Sequence, residues 1–269
     1  NVAVGSLALD ANTTASRNTG VGTSSLSANT TGAENTAVGY QSMNNSTTGN
    51  RNVAVGDVAL DVNTTGDDNT AIGQGAMGAN TTGSQNVAVG QSALDAGTTA
   101  SFNTAVGYGA MTNCTESYQA AFGHTALAAL TTGTRNNAFG AFSLDANTTG
   151  SNNTAMGYAA LGANTTGTEN TAVGALACED ITTGTNNTGL GQGALLNTTT
   201  GIRNTVVGAS ACTTLTGGNY NTVMGFAAAS AHTGSALTAI GYSAAGANTS
   251  GTNNTAVGYN SLGANTTGS

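Results

Sequence analysis

Positive charge is nearly missing from this chain: Arg17, Arg51, Arg135 and Arg203 are its only cations besides the terminus, against a formal net charge of −8 over 269 residues. Phosphate backbones and anionic membrane surfaces are held by clustered Lys and Arg, so nucleic acid is not expected as a partner. No apolar run is long enough to cross a bilayer, and no charged-then-apolar stretch of the secretory type opens the chain; membrane insertion is not expected either. The first residue, Asn1, stands in register with the repeat described below, which implies a removed leader or a segment of a longer protein.

Catalytic equipment is equally sparse. His124 and His232 are the only histidines and lie more than six repeats apart. The adjacent pairs Asp67–Asp68 and Glu179–Asp180 read as solvated turn charges with no base beside them. The GGxGxD calcium signature is absent, and Gly189-Leu190-Gly191 has no strand-turn-helix around it. No enzyme activity, cofactor or metal is expected. Three cysteines remain: Cys178 and Cys212 share one repeat position two copies apart, on the order of 9–10 Å at strand spacing, too far for a bridge. With Cys114 they read as small buried apolar residues.

Glycine, by contrast, is abundant at 40 residues, and it recurs with a period. Charged residues make up only 6% and aromatics 4%, a composition that can signal disorder, but the strict period argues for order supplied by stacking. Phrases such as NTAMGYAALGANTTGTE at 153–169 and NTAVGYNSLGANTTGS at 254–269 repeat throughout. Sixteen copies tile the chain, starting at residues 1, 18, 35, 52, 69, 86, 103, 119, 136, 153, 170, 187, 204, 221, 237 and 254. Most span seventeen residues; 103–118 and 221–236 are one short, and a local kink or loop deletion is expected there. Length alone suggests one large or two ordinary domains, but a uniform repeat suggests a single array over 1–269.

Each copy is numbered from its first residue, Asn in all but two copies (Gln119 and Leu237). The column Asn1, Asn18, Asn35, Asn52, Asn69 and onward is expected to form an amide ladder along the axis. The fifth position is always Gly, beginning Gly5, Gly22, Gly39, as a turn or close approach requires. Two Gly-bearing corners leave two short segments, N-T-A-V and roughly x-A-L-x-A, both read as strands. The apolar fourth and ninth positions, for example Val4, Val21, Phe122 and Phe139 with Leu9 and Leu26, are expected to be the core, with Phe122 stacked on Phe139. One buried Val and Leu yield about 3–6 kcal/mol per copy, several times less than ordering seventeen residues costs, so a lone copy cannot fold. All this points to an all-β fold, a parallel β-solenoid of about seventeen residues per coil and sixteen coils.

Outside the expected core, all four Arg fall at the seventeenth position, and Asp10, Asp61, Asp95, Asp145 and Glu179 at the tenth, which are read as facing water. The third and eighth columns stay small and uncharged, which suggests cover by another layer, read as another subunit. Tyr40, Tyr108, Tyr158, Tyr242 and Tyr259, with Phe226, follow the invariant Gly and are read as a packing rim or a stripe for cell-surface glycans. The Asn12-Thr13-Thr14 corner matches the glycosylation acceptor and recurs at Asn29, Asn63, Asn80, Asn147, Asn164, Asn248 and Asn265, but the same residues suit corner chemistry.

The N-T-A-V-G phrase followed by a small-residue segment resembles the head repeats of YadA-type trimeric autotransporter adhesins, and is similar to phage tail-fibre repeats. The resemblance spans the whole chain, although this repeat is a few residues longer and Thr often stands where the family favours Val. It implies a left-handed β-roll, three chains side by side, display outside the cell or on a virion, and a role in attachment. The functional expectation is an extracellular structural fibre, self-associating as a homotrimer or end to end, with an adhesin or tail-fibre shaft as the alternative. An ice-binding solenoid is a remote third: ice faces need Thr side chains two residues apart on one side, and Thr13-Thr14 are adjacent.

Overall fold

The computed structural model describes residues 1–269 and contains one three-residue strand per repeat, sixteen in all, and within each of the two units that follow the strands pair in parallel with their neighbours. The chain divides into two compact units, 1–134 and 135–269. The first holds β1 (Val2–Val4), β2 (Thr19–Val21), β3 (Thr36–Val38), β4 (Val53–Val55), β5 (Thr70–Ile72), β6 (Val87–Val89), β7 (Thr104–Val106) and β8 (Ala120–Phe122). The second holds β9 (Asn137–Phe139), β10 (Thr154–Met156), β11 (Thr171–Val173), β12 (Thr188–Leu190), β13 (Thr205–Val207), β14 (Thr222–Met224), β15 (Thr238–Ile240) and β16 (Thr255–Val257). The fold is a parallel β-solenoid in which each repeat makes one coil.

Register follows the sequence columns. Val4 pairs with Val21 and Val21 with Val38; Met156 pairs with Val173 in the second unit. The short copies leave it intact, since Val106 pairs with Phe122 and Met224 with Ile240. The missing residue comes out of the corner opposite the strand: Asn103 Nδ2 reaches back to the carbonyl of Glu116, thirteen residues on, where a full coil closes over fourteen.

Within each strand the middle residue points inward and its two neighbours point outward, as alternation requires. From β2 to β16 the middle side chain is buried and neither flank is. The interior is therefore lined by the third column, Ala37, Ala54 and Ala71 among them, the eighth, Ser25, Ser42 and Ala59, and the ninth, Leu9, Leu26, Met43 and Leu60. This corrects the expected core. Leu9 and Leu26 are inside, but the fourth column faces out: Val4 is 57% exposed, Phe122 36%, Phe139 38%, and Val21 is half-buried. It also relocates the partner of the small columns: they pack inside the solenoid of their own chain, with Ser25 Oγ donating to the carbonyl of Ala37 in the next coil at 3.0 Å.

The segment after Gly5 is a run of turns, not a second strand. Its seventh and ninth residues have left-handed backbones (Ser24 φ 57°, Leu26 φ 52°), which break extended geometry. The ladder nevertheless continues: Leu26 N–H donates to the carbonyl of Ser42 in the next coil and Ser24 N–H to that of Ser6 in the previous one. Such left-handed residues are costly singly; here each is held between two coils repeating the same conformation, which is how stacking stabilises a unit that has little core of its own.

Side chains tie the coils together in four more files. Asn52 accepts from the backbone N–H of Asn69, donates to the carbonyl of Gly66, and bonds Asn35 Oδ1 at 3.2 Å. Asn18, Asn35, Asn52 and Asn69 are fully or almost fully buried, while Asn1, on the end coil, is exposed. A second amide file runs through the twelfth position, where Asn80 bonds Asn63 and Asn164 bonds Asn147, interrupted by Ser46, Gly97, Cys114, Leu130, Ile181, Thr198, Leu215 and His232. The invariant Thr of the thirteenth position donates to the Thr carbonyl one coil on, as Thr47 does to Thr64 at 2.9 Å. Ser, Asn and Asp at the sixteenth accept a backbone N–H from the preceding coil: Asp67 N–H to Ser84, Ser84 N–H to Ser101.

Candidate functional site: an outward strand face with aromatic borders

The second and fourth columns together form one outward face on each unit. In the first unit it reads Thr19 and Val21, Thr36 and Val38, Val53 and Val55, Thr70 and Ile72, Val87 and Val89, Thr104 and Val106, then Ala120 and Phe122. The second unit presents Thr with Met156, Val173, Leu190, Val207, Met224, Ile240 and Val257, beginning from Asn137 and Phe139. No charged residue stands in either column in any coil. β-branched residues suit a strand surface on conformational grounds alone, yet that preference does not explain why Arg, Asp and Glu, present in the seventeenth and sixth columns, never enter.

Two borders flank the face. On the side preceding the strand, the seventeenth column carries the ions: Arg17 pairs with Glu34, and Arg51 meets Asp68 through two contacts, Nε to Oδ1 at 2.6 Å and Nη2 to Oδ2 at 3.0 Å. The bond to Arg51 holds the Asp68 carboxyl below its usual range. Arg203 donates to the Tyr220 hydroxyl at 3.0 Å, its guanidinium 5.7 Å from the ring centre. Phe102 and Tyr118 stack along the same border at 5.1 Å. Beyond Gly5, the sixth column carries Tyr40, Tyr108, Tyr158, Tyr242 and Tyr259, all at least half exposed. Phe226, Tyr242 and Tyr259 form a run of near-parallel rings at 5.6 and 5.5 Å, and Tyr108 stacks on His124 at 5.3 Å. In such a run the ring faces cover one another and the edges face outward, so the internal rings have no open face for a sugar to stack upon.

The tenth-column carboxylates are less exposed than the sequence suggests. Asp10 faces water, but Asp61, Asp95, Asp145 and Glu179 are half-buried, and desolvation raises each above the usual carboxylate range, with Asp180 adding to the effect on Glu179. Asp145, Glu179 and Asp180 border an open notch with Phe142 and Tyr158, formed because Gly162 and Ala163 leave the intervening coil low; no histidine lines it. No group of three His, Cys, Asp or Glu side chains is placed to hold a metal ion. Cys114, Cys178 and Cys212 are buried and free; burial pushes the Cys114 thiol up to about 11 and the other two to about 12. The acceptor motifs at Asn29, Asn63, Asn80, Asn147, Asn164 and Asn248 are fully buried, most with Nδ2 committed to a corner as Asn63 Nδ2 is to Gly66 O, so the folded chain offers none of them for glycosylation.

Columns two and four were both legible in the sequence, but their shared direction was not. The signal was the third column, which is Ala or Gly in all copies but those of Val206 and Val223 and fixes which way its neighbours point. Comparison with known proteins finds no match among family models, curated proteins or solved structures.

Proposed function

We propose that this chain is a structural element of an extracellular fibre in which copies lie side by side through the outward strand face. The observation that carries the reading is the uncharged Thr and aliphatic face in a chain of net charge −8. Eight strands at about 4.8 Å, three residues wide, give each unit a strip of about 400 Å². An uncharged strip of this size falls within the range of the largest patches on soluble proteins, which are often functional. A second copy is the occupant favoured by periodicity: its ridges repeat at the same strand spacing and interdigitate without a charge to desolvate. Three is the number of chains that the likeness to adhesin head repeats implies. The role is mechanical, with ladders resisting fraying and few cleavage sites for basic-specific proteases.

Sedimentation of the purified chain tests this. Self-association in the micromolar range is expected, and Ile72→Lys, Val106→Lys, Val173→Lys and Val207→Lys introduced together are expected to abolish it while the circular dichroism spectrum is retained. A wild-type chain that remains monomeric at high concentration would overturn the reading. In the attachment-shaft version the same bundle carries a receptor-binding element elsewhere in the gene product, and intact mass separates the two.

One observation favours ice as a second reading. Thr19 and Val21, like Thr36 and Val38, point outward two residues apart on a regular ladder, which supplies the spacing that the adjacent Thr13 and Thr14 lack, with Val in place of the second Thr. Phe122, Phe139, Met156 and Met224 interrupt that regularity. Thermal hysteresis in the monomeric protein would establish ice binding, and its absence would remove it.

A further inference from the structure

All seven tyrosines of the chain are more than half exposed, from 51% at Tyr242 to 79% at Tyr259. They occupy only two columns of the coil, the sixth and the one before the repeat's first residue, so they border the strand face on both sides. Apart from Tyr220, which accepts from Arg203, none has its hydroxyl bonded within the chain. Exposed aromatic rings are an expensive way to fill positions where Ser, Gln, Asp or Ala also stand, as Ser6, Gln74, Asp57 and Ala141 do in the sixth column.

We infer that these tyrosines are sites of oxidative cross-linking, at which phenols of neighbouring copies join ortho carbon to ortho carbon along the two seams of the association face. The inference rests on the side-by-side packing proposed above. Other covalent routes are closed by composition and burial. The four cations are all Arg, so there is no lysine amine to condense, and all three thiols are buried and held protonated. The stacked geometry also directs the reaction outward. A biaryl bond lies in the plane of both rings it joins, and Tyr242 and Tyr259 lie nearly parallel, 12° apart, with faces rather than edges opposed. They cannot couple to each other without leaving the stack, but both present ortho edges to a neighbour.

The chemistry needs an oxidant of the peroxidase and hydrogen peroxide class. Each of two phenols gives up one electron and one proton to the peroxide, which leaves as two waters. The two radicals form one carbon–carbon bond, and each ring regains aromaticity as its ortho hydrogen moves to oxygen as a proton.

The test treats the full chain with a peroxidase and hydrogen peroxide at a concentration where sedimentation shows association, with denaturing electrophoresis and mass spectrometry of linked peptides as readouts. Phenols held at an effective concentration of about 1 mM, against about 10 μM free in solution, should couple roughly a hundredfold faster than in the four-lysine face variant, which keeps every tyrosine. Linked peptides should join tyrosines of different copies, and a variant with all seven tyrosines changed to Phe should associate but form no covalent multimer. Association without linkage, or equal linkage in the face variant, overturns this inference and leaves the fibre reading standing. Failure of the untreated chain to associate overturns both.

Discussion

The α-carbon of Gly39 faces the carbonyl of Gly56 in the next coil so closely that no β-carbon fits between them, and the backbone at Gly39 has φ 139°. Both reasons for an invariant glycine apply at one place. The fifteenth column is crowded too, Gly83 lying against the Ala100 carbonyl, but there φ is ordinary and alanine already stands at Ala15 and Ala100. Gly39→Ala is therefore expected to cost about 3 kcal/mol or more and Gly83→Ala about 1 kcal/mol. Thermal melts of the two variants check the order; equal losses would refute it.

Truncating the buried amide file exposes what it carries. Asn69→Ala removes the acceptor for the Asn86 N–H and the donor to the Gly83 carbonyl, leaving both buried without those partners. A loss of about 2–4 kcal/mol is expected. Hydrogen exchange should show it concentrated in the coils on either side of residue 69, and a loss spread evenly over unit 1–134 would contradict a local ladder.

His232 replaces Asn in the twelfth column. It is fully buried, its ring nitrogens lie close to Asn248 and the Gly234 backbone but make no hydrogen bond of good geometry, and Asn248 Nδ2 makes none either. Desolvation holds its pKa below the usual 6.5. The unfolded chain therefore takes up a proton near that pH while the folded chain does not, so stability falls as pH drops through 6.5 toward the lower folded value. His232→Asn restores an acceptor for Asn248 and should raise the melting temperature, by more at about pH 5 than at about pH 8. A pH-independent difference would disprove the assignment.

The half-buried carboxylates act in the opposite sense. Asp61 and Asp95 have folded pKa values raised above 3.8, so the stability they contribute is present at acid pH and declines as pH rises through the folded value. Asp61→Asn and Asp95→Asn together should raise stability at neutral pH and change little in acid, as read by melts at both.

Thiol titration addresses the interior. Cys114, Cys178 and Cys212 should be inert to a disulfide reagent in the folded chain and all react after denaturation. Rapid labelling without denaturant would show the coils open.

Much of the fold is written in the columns themselves. Gly5 and its successors mark the turn, and the seventeen-residue spacing sets a register that pairs Val4 with Val21. Which way the strand faces was not legible, because three residues reading Thr, Ala, Val contain a single alternation and hydropathy assigns the inside to Val. The left-handed residues were hidden for a different reason: Leu26, Met43 and Leu60 show no glycine preference, since neighbouring coils enforce the conformation. The file at the sixteenth position did leave a trace, as Asp67, Ser84 and Ser101 are alike in one property, an oxygen that accepts. Of the candidate site, the aromatic border was visible in the sequence as a column after glycine, whereas its partner, the face itself, was assigned to the interior.

If copies associate as proposed, the sameness of the coils has a price for recognition between chains. A surface that looks alike after every strand can be slid by one coil against its mate at little loss, so most of the face cannot specify alignment. The bulky exceptions Phe122, Phe139, Met156 and Met224 break that translational symmetry. In the side-by-side packing proposed above they would act as detents, which, unlike any feature of the common repeat, would select a single offset.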